Sequence, residues 1–224
     1  MGTIVRGVAI IFGLLIVAGA IGSMTGGAPE DNDAAATRTP PRTTVASTTT
    51  PGTPAPPTPS PEPTAFSFGP GVLTVGTDVP AGTYRTRSST STCYWARLSG
   101  FGGTLGEVIA NNLGSGYAVV AIAPDDVGFE SQGCGAWSAD LSAVKAPDAP
   151  FGNGTFIVGT DITPGAWRAA GGSTCYWARL SGFGGSTLGD IIANHIGEGA
   201  AVVQIQASDV GFTSSGCGEW TKAN

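Results

Sequence analysis

The chain carries few of the groups that chemistry needs. Its 224 residues include one histidine, and only 12% are charged. Lysine and arginine never cluster, and the net charge is −6, so the basic footprint of a nucleic-acid binder is missing. Anionic lipid headgroups are disfavoured for the same reason. The four cysteines form no CxxC pair and have no repeated histidine beside them, which leaves no tetrahedral zinc set within either half of the cysteine-bearing region. No amphipathic helix of ordinary length is visible. Ser99 and Ser181 lack the Gly-x-Ser-x-Gly spacing of a nucleophile elbow. No cofactor is expected.

What the chain does have falls into three zones. Residues 1–27 are apolar and Gly-rich, 28–66 are rich in Pro and Thr, and 67–224 hold every cysteine and every tryptophan. Only the third zone has the aromatic and β-branched content to bury a core. Within the first, Gly7 to Met24 runs without a charge behind Arg6. This stretch is either a secretory signal peptide, with small residues at Ala18-Gly19-Ala20 or Ala20-Ile21-Gly22 for cleavage, or an uncleaved helix of residues 7–24 that anchors the protein in the membrane. Both readings put the remainder outside the cytoplasm, either anchored or secreted, because Arg6 stays inside and Glu30, Asp31 and Asp33 go out. No cysteine lies near residue 20, so a lipoprotein anchor is excluded. The ten prolines and ten threonines of 28–66 predict an extended, disordered linker. At polyproline-II rise it would reach on the order of 100 Å, enough to lift the third zone into a cell wall.

The third zone states one message twice. Phe68–Trp137 and Phe151–Trp220 align with 43 of 70 positions identical, including an unbroken 11-residue match of Cys93–Gly103 with Cys175–Gly185. Each copy is one folding unit, residues 67–140 and 151–224, joined by a short linker at 141–150. A site that matters should appear in both copies. The duplication also selects a cysteine pairing: each copy must have been able to fold alone, so Cys93 pairs with Cys134 and Cys175 with Cys217. Closing loops of 41 and 42 residues stabilises each copy by about 4 kcal/mol in the chain-entropy model. Such bonds persist only outside a reducing cytosol, which agrees with export.

Within a copy the signals are short strands between turns. Val72–Val75 leads into the turn Gly-Thr-Asp-Val-Pro-Ala-Gly82, and Phe156–Val158 into Gly-Thr-Asp-Ile-Thr-Pro-Gly165. Thr83–Thr86, Cys93–Leu98 and Tyr117–Ile122 read as strands, as do their counterparts Ala166–Ala169, Cys175–Leu180 and Ala200–Ile205. The Val-Gly-Phe segment before the second cysteine reads as a last strand. Leu105–Asn112 and Leu188–His195 read as a strand or one short helical turn. The fold class is all-β: two tandem, small, disulfide-bonded β-sandwich or barrel-like repeats, after an N-terminal hydrophobic helix and a disordered linker.

The order VGxDIxPGxYR, CYWxRLSGF, DIIAN, DxGFxSxGCGxW resembles a cysteine-containing module of actinobacterial exported proteins, across residues 68–221. Copy one departs at the turn, where Val79-Pro80-Ala81-Gly82 displaces the proline by one position. The resemblance implies origin and compartment and adds no chemistry.

Candidate sites are weighed by the duplication. His195 faces Asn112 in the alignment, so a hydrolase would need an asymmetric site between the copies. The duplicated acids Asp78/Asp161, Glu107/Asp190 and Asp126/Asp209 could join Asn111/Asn194 around calcium, but Asp beside turn residues ordinarily caps backbone N–H groups. The repeated arginines Arg85/Arg168 and Arg97/Arg179 are expected to pair with these acids as partly buried ion pairs holding strands in register. Among the aromatics, Tyr94 and Trp95 must face opposite ways, so one joins the core. The candidate ligand-facing set is Tyr94, Phe101, Tyr176 and Phe183, with Phe101 and Phe183 in Gly-rich loops and most open. The expected function is non-enzymatic binding of wall polysaccharide or of a surface protein. The alternative is a structural or sensory ectodomain with no ligand of its own.

Overall fold

β-branched and aromatic residues at alternate positions form antiparallel strands, most of them short and met by Gly, Pro or Asp within two residues. The computed structural model describes residues 65–88, 90–186 and 189–223. The apolar segment 7–24 and all but the last two residues of the linker lie outside the described residues.

Repeat 1 contains β1 (Ser67–Phe68), β2 (Gly71–Thr74), β3 (Gly82–Thr86), β4 (Thr90–Leu98), β5 (Val108–Gly116), β6 (Val119–Ile122), β7 (Gly128–Gln132) and β8 (Trp137–Ser138). They form two four-stranded sheets, ordered β1-β8-β3-β6 and β2-β7-β4-β5, antiparallel throughout. One apolar cluster joins the two sheets: Tyr84, Val120, Ile122 and Trp137 from the first meet Cys93, Trp95 and Phe129 from the second. Leu105–Asn112 is both of the things its sequence suggested. A 3-10 turn at Leu105–Glu107 runs directly into β5.

Repeat 2 contains β9 (Gly154–Ile157), β10 (Gly165–Leu180), β11 (Ile191–Ile205), β12 (Gly211–Ser215) and β13 (Trp220–Lys222). The path is that of repeat 1, but β3 and β4 are continuous as β10, and β5 and β6 as β11. All five strands therefore belong to one bent sheet, ordered β11-β10-β12-β9 with β13 added against β10. The interruption in repeat 1 falls where the Thr86 hydroxyl accepts the Ala118 N–H at 2.9 Å. The counterpart of Thr86 is Ala169, which has no hydroxyl to compete with the strand ladder.

The Val-Gly-Phe strands, β7 and β12, are not the last in their copies. The chain turns after Cys134 and Cys217 into β8 and β13, two and three residues long and too short to show a period. Glycines at +68° and +73° in φ bracket Cys134, and glycines at +71° and +77° bracket Cys217. This left-handed backbone admits glycine at little cost and accounts for the Gly-Cys-Gly motif. The turn then brings Trp137 and Trp220 into the core, where their indole N–H groups donate to Ser131 and Ser214 at 2.8 and 2.7 Å.

Candidate functional site

The disulfides are Cys93–Cys134 and Cys175–Cys217, as the duplication required, and no described cysteine is free. All four sulfurs sit in the two apolar clusters.

Each copy also builds the same buried ion pair. Arg97 donates from Nε and Nη2 to both oxygens of Asp126 at 2.6 and 2.7 Å, and Arg179 does so to Asp209 at 2.7 and 2.8 Å. Each carboxylate also caps a turn, accepting the N–H of Ala123 or Gln206 at 2.8 Å. Burial alone would push the Asp209 carboxyl up. The Arg179 hydrogen bonds, the Gln206 N–H and the guanidinium charge outweigh it and hold the group below the usual carboxylate range. The Arg97 and Arg179 guanidiniums are correspondingly held above their ordinary value by the hydrogen bonds to Asp126 and Asp209.

The other repeated pair departs from the expectation. Asp78 and Asp161 both cap the preceding turn, accepting the N–H of Thr74 and of Ile157 at 2.8 Å. Arg85, however, reaches across to the other copy. Its two terminal nitrogens meet Asp161 at 3.1 and 2.9 Å, with both side chains fully buried. Leu141 and Ser142 add carbonyl acceptors to Arg85, and the Val144 N–H donates to Asp161. Arg85 thus pins two domains and the 141–150 segment together, where a partly buried ion pair holding strands in register was expected. Arg168 and Asp78, the counterparts, are exposed.

The two copies share a seam. The Ala121 N–H donates to the Phe183 carbonyl at 2.8 Å, Arg97 Nη1 to the Gly184 carbonyl at 2.8 Å, and Thr155 N–H to the Tyr117 carbonyl at 2.7 Å. Gly185 lies against Trp95, so close that a β-carbon there would sit 2.6 Å from the indole. The Phe183 loop is therefore partly covered, a correction to its expected openness. Phe101 keeps the expected exposure at 52%, with its ring lying over Gly128. A cleft of about 500 Å³ opens along the seam beside Tyr117, Lys145, Phe151 and Asn153. It fails the duplication test, since its lining comes from unlike parts of the two copies.

The remaining candidates sort by strand alternation. Trp95 is in the core and Tyr94 half-buried on the opposite face, as the alternation demanded. Tyr84 and Trp167 are core residues whose polar tips donate to the carbonyls of Pro80 and Thr163, four residues back, at 2.8 and 3.0 Å. The acids that were candidates for calcium are separately engaged. Glu107 accepts the Gly102 and Thr104 N–H groups, and these bonds, that of Thr104 foremost, hold its carboxyl below the ordinary range. Asp190 accepts the Ser186 N–H. Asn111 takes part in none of these bonds. His195 lies over Trp177 with ring centroids 6.1 Å apart.

One surface survives the duplication test. Residues opposite one another on antiparallel strands share a face. Tyr94 stands between Leu113 and Gln132, and Ala96 between Asn111 and Glu130. The outer face of repeat 1 thus gathers Tyr94, Asn111 and Leu113, with Phe101 over Gly128 and exposed Ile109 at its end. Repeat 2 repeats it with Tyr176, Asn194, Ile196 and Ile192. Burial raises the Tyr176 hydroxyl above its ordinary pKa, against the opposing pull of Asn194. Leu113 is 67% exposed, which no folding requirement explains. The sequence signal was present in the identical Cys-Tyr-Trp-Ala-Arg-Leu core, but the aliphatic neighbours come from β5 and β11 and were not recognisable as its partners.

A duplicated, disulfide-closed, all-β unit defines an extracellular module. The chain belongs to the Rv1352-like extracellular domain family, whose model matches it twice, over residues 65–138 and 148–221. No curated protein and no solved structure matches it. The membership places the repeats outside the cytoplasm.

Proposed function

We propose that the protein is a non-enzymatic, cell-envelope binding module that holds its ligand on the outer faces of its two repeats. The observation that carries this reading is the recurrence, in both copies, of exposed aliphatic side chains beside a half-buried tyrosine and an asparagine. Of the two ligands in view, a surface protein is favoured. Ile109, Leu113, Ile192 and Ile196 offer apolar area to a protein partner and little to a sugar ring, which binds chiefly by aromatic stacking and dense hydrogen bonding. Wall polysaccharide is the second reading, supported by Tyr94 with Asn111 and Tyr176 with Asn194. Two like sites on one chain would act together, so modest affinities give retention through avidity.

The test uses the full oxidised chain and a Leu113→Glu/Ile196→Glu variant, in crosslinking on intact cells and in pull-down by purified wall sacculi. Both changes are on open surface and should leave folding within about 0.5 kcal/mol of the parent. A crosslinked envelope protein that is lost at least tenfold in the variant supports the first reading. Saturable retention on sacculi supports the second. Failure of both discards ligand binding and leaves a structural or sensory ectodomain.

A further inference from the structure

The seam between the repeats is head-to-tail, and its two halves are each present once more, uncovered. Repeat 1 contributes a sheet edge, the β5–β6 side, with Arg85, Trp95, Val119 and the Ala121 N–H. Repeat 2 contributes the Asp161 turn and the Phe183–Gly185 loop. The repeat 2 version of the first surface is the edge of β11. There Val202 is 70% exposed where Val119 is 3%, Arg168 is exposed where Arg85 is buried, and Trp177 is only half-buried where Trp95 is buried. The repeat 1 version of the second surface is the Asp78 turn and the Phe101–Gly103 loop, both exposed.

We infer that this chain associates with a second copy of itself through the same joint, β11 edge of one molecule against the Asp78 turn and Phe101 loop of the next. The chemistry repeats contact by contact. Arg168 meets Asp78 as Arg85 meets Asp161. Arg179 uses only Nε and Nη2 on Asp209, so its Nη1 is available for the Gly102 carbonyl as Arg97 Nη1 is used on Gly184. Gln204 holds the register against Ala166 that Ala121 holds against Thr83, so its N–H points out of the edge toward the Phe101 carbonyl. Gly71, at φ +144°, matches Gly154 at +132°, the residue that bridges to Tyr117 across the seam. An edge of 15 residues with unpaired backbone groups is also what invites another strand or loop.

The joint between molecules is weaker than the one within. Pro70 with Glu198 replaces the hydrogen-bonded Asn153 and Ser115 there. The association is therefore reversible, and a non-closing heterologous joint extends into short open chains. This inference does not rest on the outer-face reading, because Arg168, Val202 and the Asp78 turn take no part in that face and the Phe101 loop enters the joint only through its backbone carbonyls.

Sedimentation of the full chain over a concentration series tests it, together with Arg168→Glu, Asp78→Arg and an equal mixture of the two. Each variant alone opposes like charges across the joint and is expected to associate at least tenfold more weakly than the parent. In the mixture the two variants can alternate. The introduced glutamate of one then faces the introduced arginine of the other, the native Arg168 and Asp78 face each other at the next joint, and association should recover. Melting of Arg168→Glu checks the fold, and Val202→Glu, a second open position on the same edge, should weaken association likewise. A parent that stays monomeric overturns the inference, as does association that neither Arg168→Glu nor Val202→Glu changes, or a mixture that fails to recover. Loss of sacculus retention by Arg168→Glu with a monomeric parent would give the edge to a wall ligand and equally overturn self-association.

Discussion

Repeat 1 and repeat 2 share 43 of 70 aligned positions and follow nearly the same path, yet the same residue type does different work in each. The Asp126 and Asp209 pairs, the two disulfides and the buried Trp137 and Trp220 are used identically, because all their partners lie inside one copy. Arg85 and Arg168, Val119 and Val202, Asp78 and Asp161 diverge, because their partners lie in the neighbouring copy or nowhere among the described residues. Duplication copies the interior of a domain faithfully and leaves its surfaces unequal. The first copy supplies one side of the joint and the second copy the other.

The comparison can be broken at its strongest point by removing a disulfide. Cys93→Ser/Cys134→Ser and Cys175→Ser/Cys217→Ser should each cost about 4 kcal/mol, alike in the two copies, since the closed loops differ by one residue. Denaturant unfolding of each variant measures this, and a marked inequality would show that the seam shares stability between the copies. Arg85→Ala should come next, destabilising by about 3 kcal/mol because it leaves Asp161 buried without its cation. Arg168→Ala should change stability by less than about 0.5 kcal/mol. Equal effects from the two would mean that the seam does not form in solution.

The smallest effect sharpens the shared part of the comparison. Asp209 titrates lower in the folded chain than in the unfolded one, because Arg179 and the Gln206 N–H favour the carboxylate. Its stabilisation is therefore fully present above the ordinary carboxylate range and is lost as pH falls through its folded pKa. Asp209→Asn should be less stable than the parent near neutral pH, and the gap should close in acid. A gap that persists below the folded pKa would assign the loss to packing instead of charge.

Much of this molecule was legible in its residues. Glycine, proline and aspartate marked the turns around Asp78 and Asp161, the duplication chose the cysteine pairs, and period-two alternation set Trp95 and Tyr94 on opposite faces. Those are local matters, decided within a strand or a turn. The two-residue strand at Trp137–Ser138 escaped notice because so short a segment has no period. The openness of Phe183 was misjudged for another reason: a Gly-rich loop reads as exposed until a neighbouring edge is laid against it.

The sequence by itself determined the all-β class, the order of the longer strands and their turns, the extracytoplasmic compartment and the covalent pairing, since backbone dihedral preference, side-chain alternation and loop closure are properties of short stretches of chain. Only the tertiary structure decided that Arg85 belongs to Asp161 rather than to an acid of its own copy, that Val119 is buried while Val202 is bare, and that Tyr94 shares its face with Leu113. Those facts depend on which edge meets which loop across 76 residues of chain, a choice that burial and charge make together and that no local pattern records.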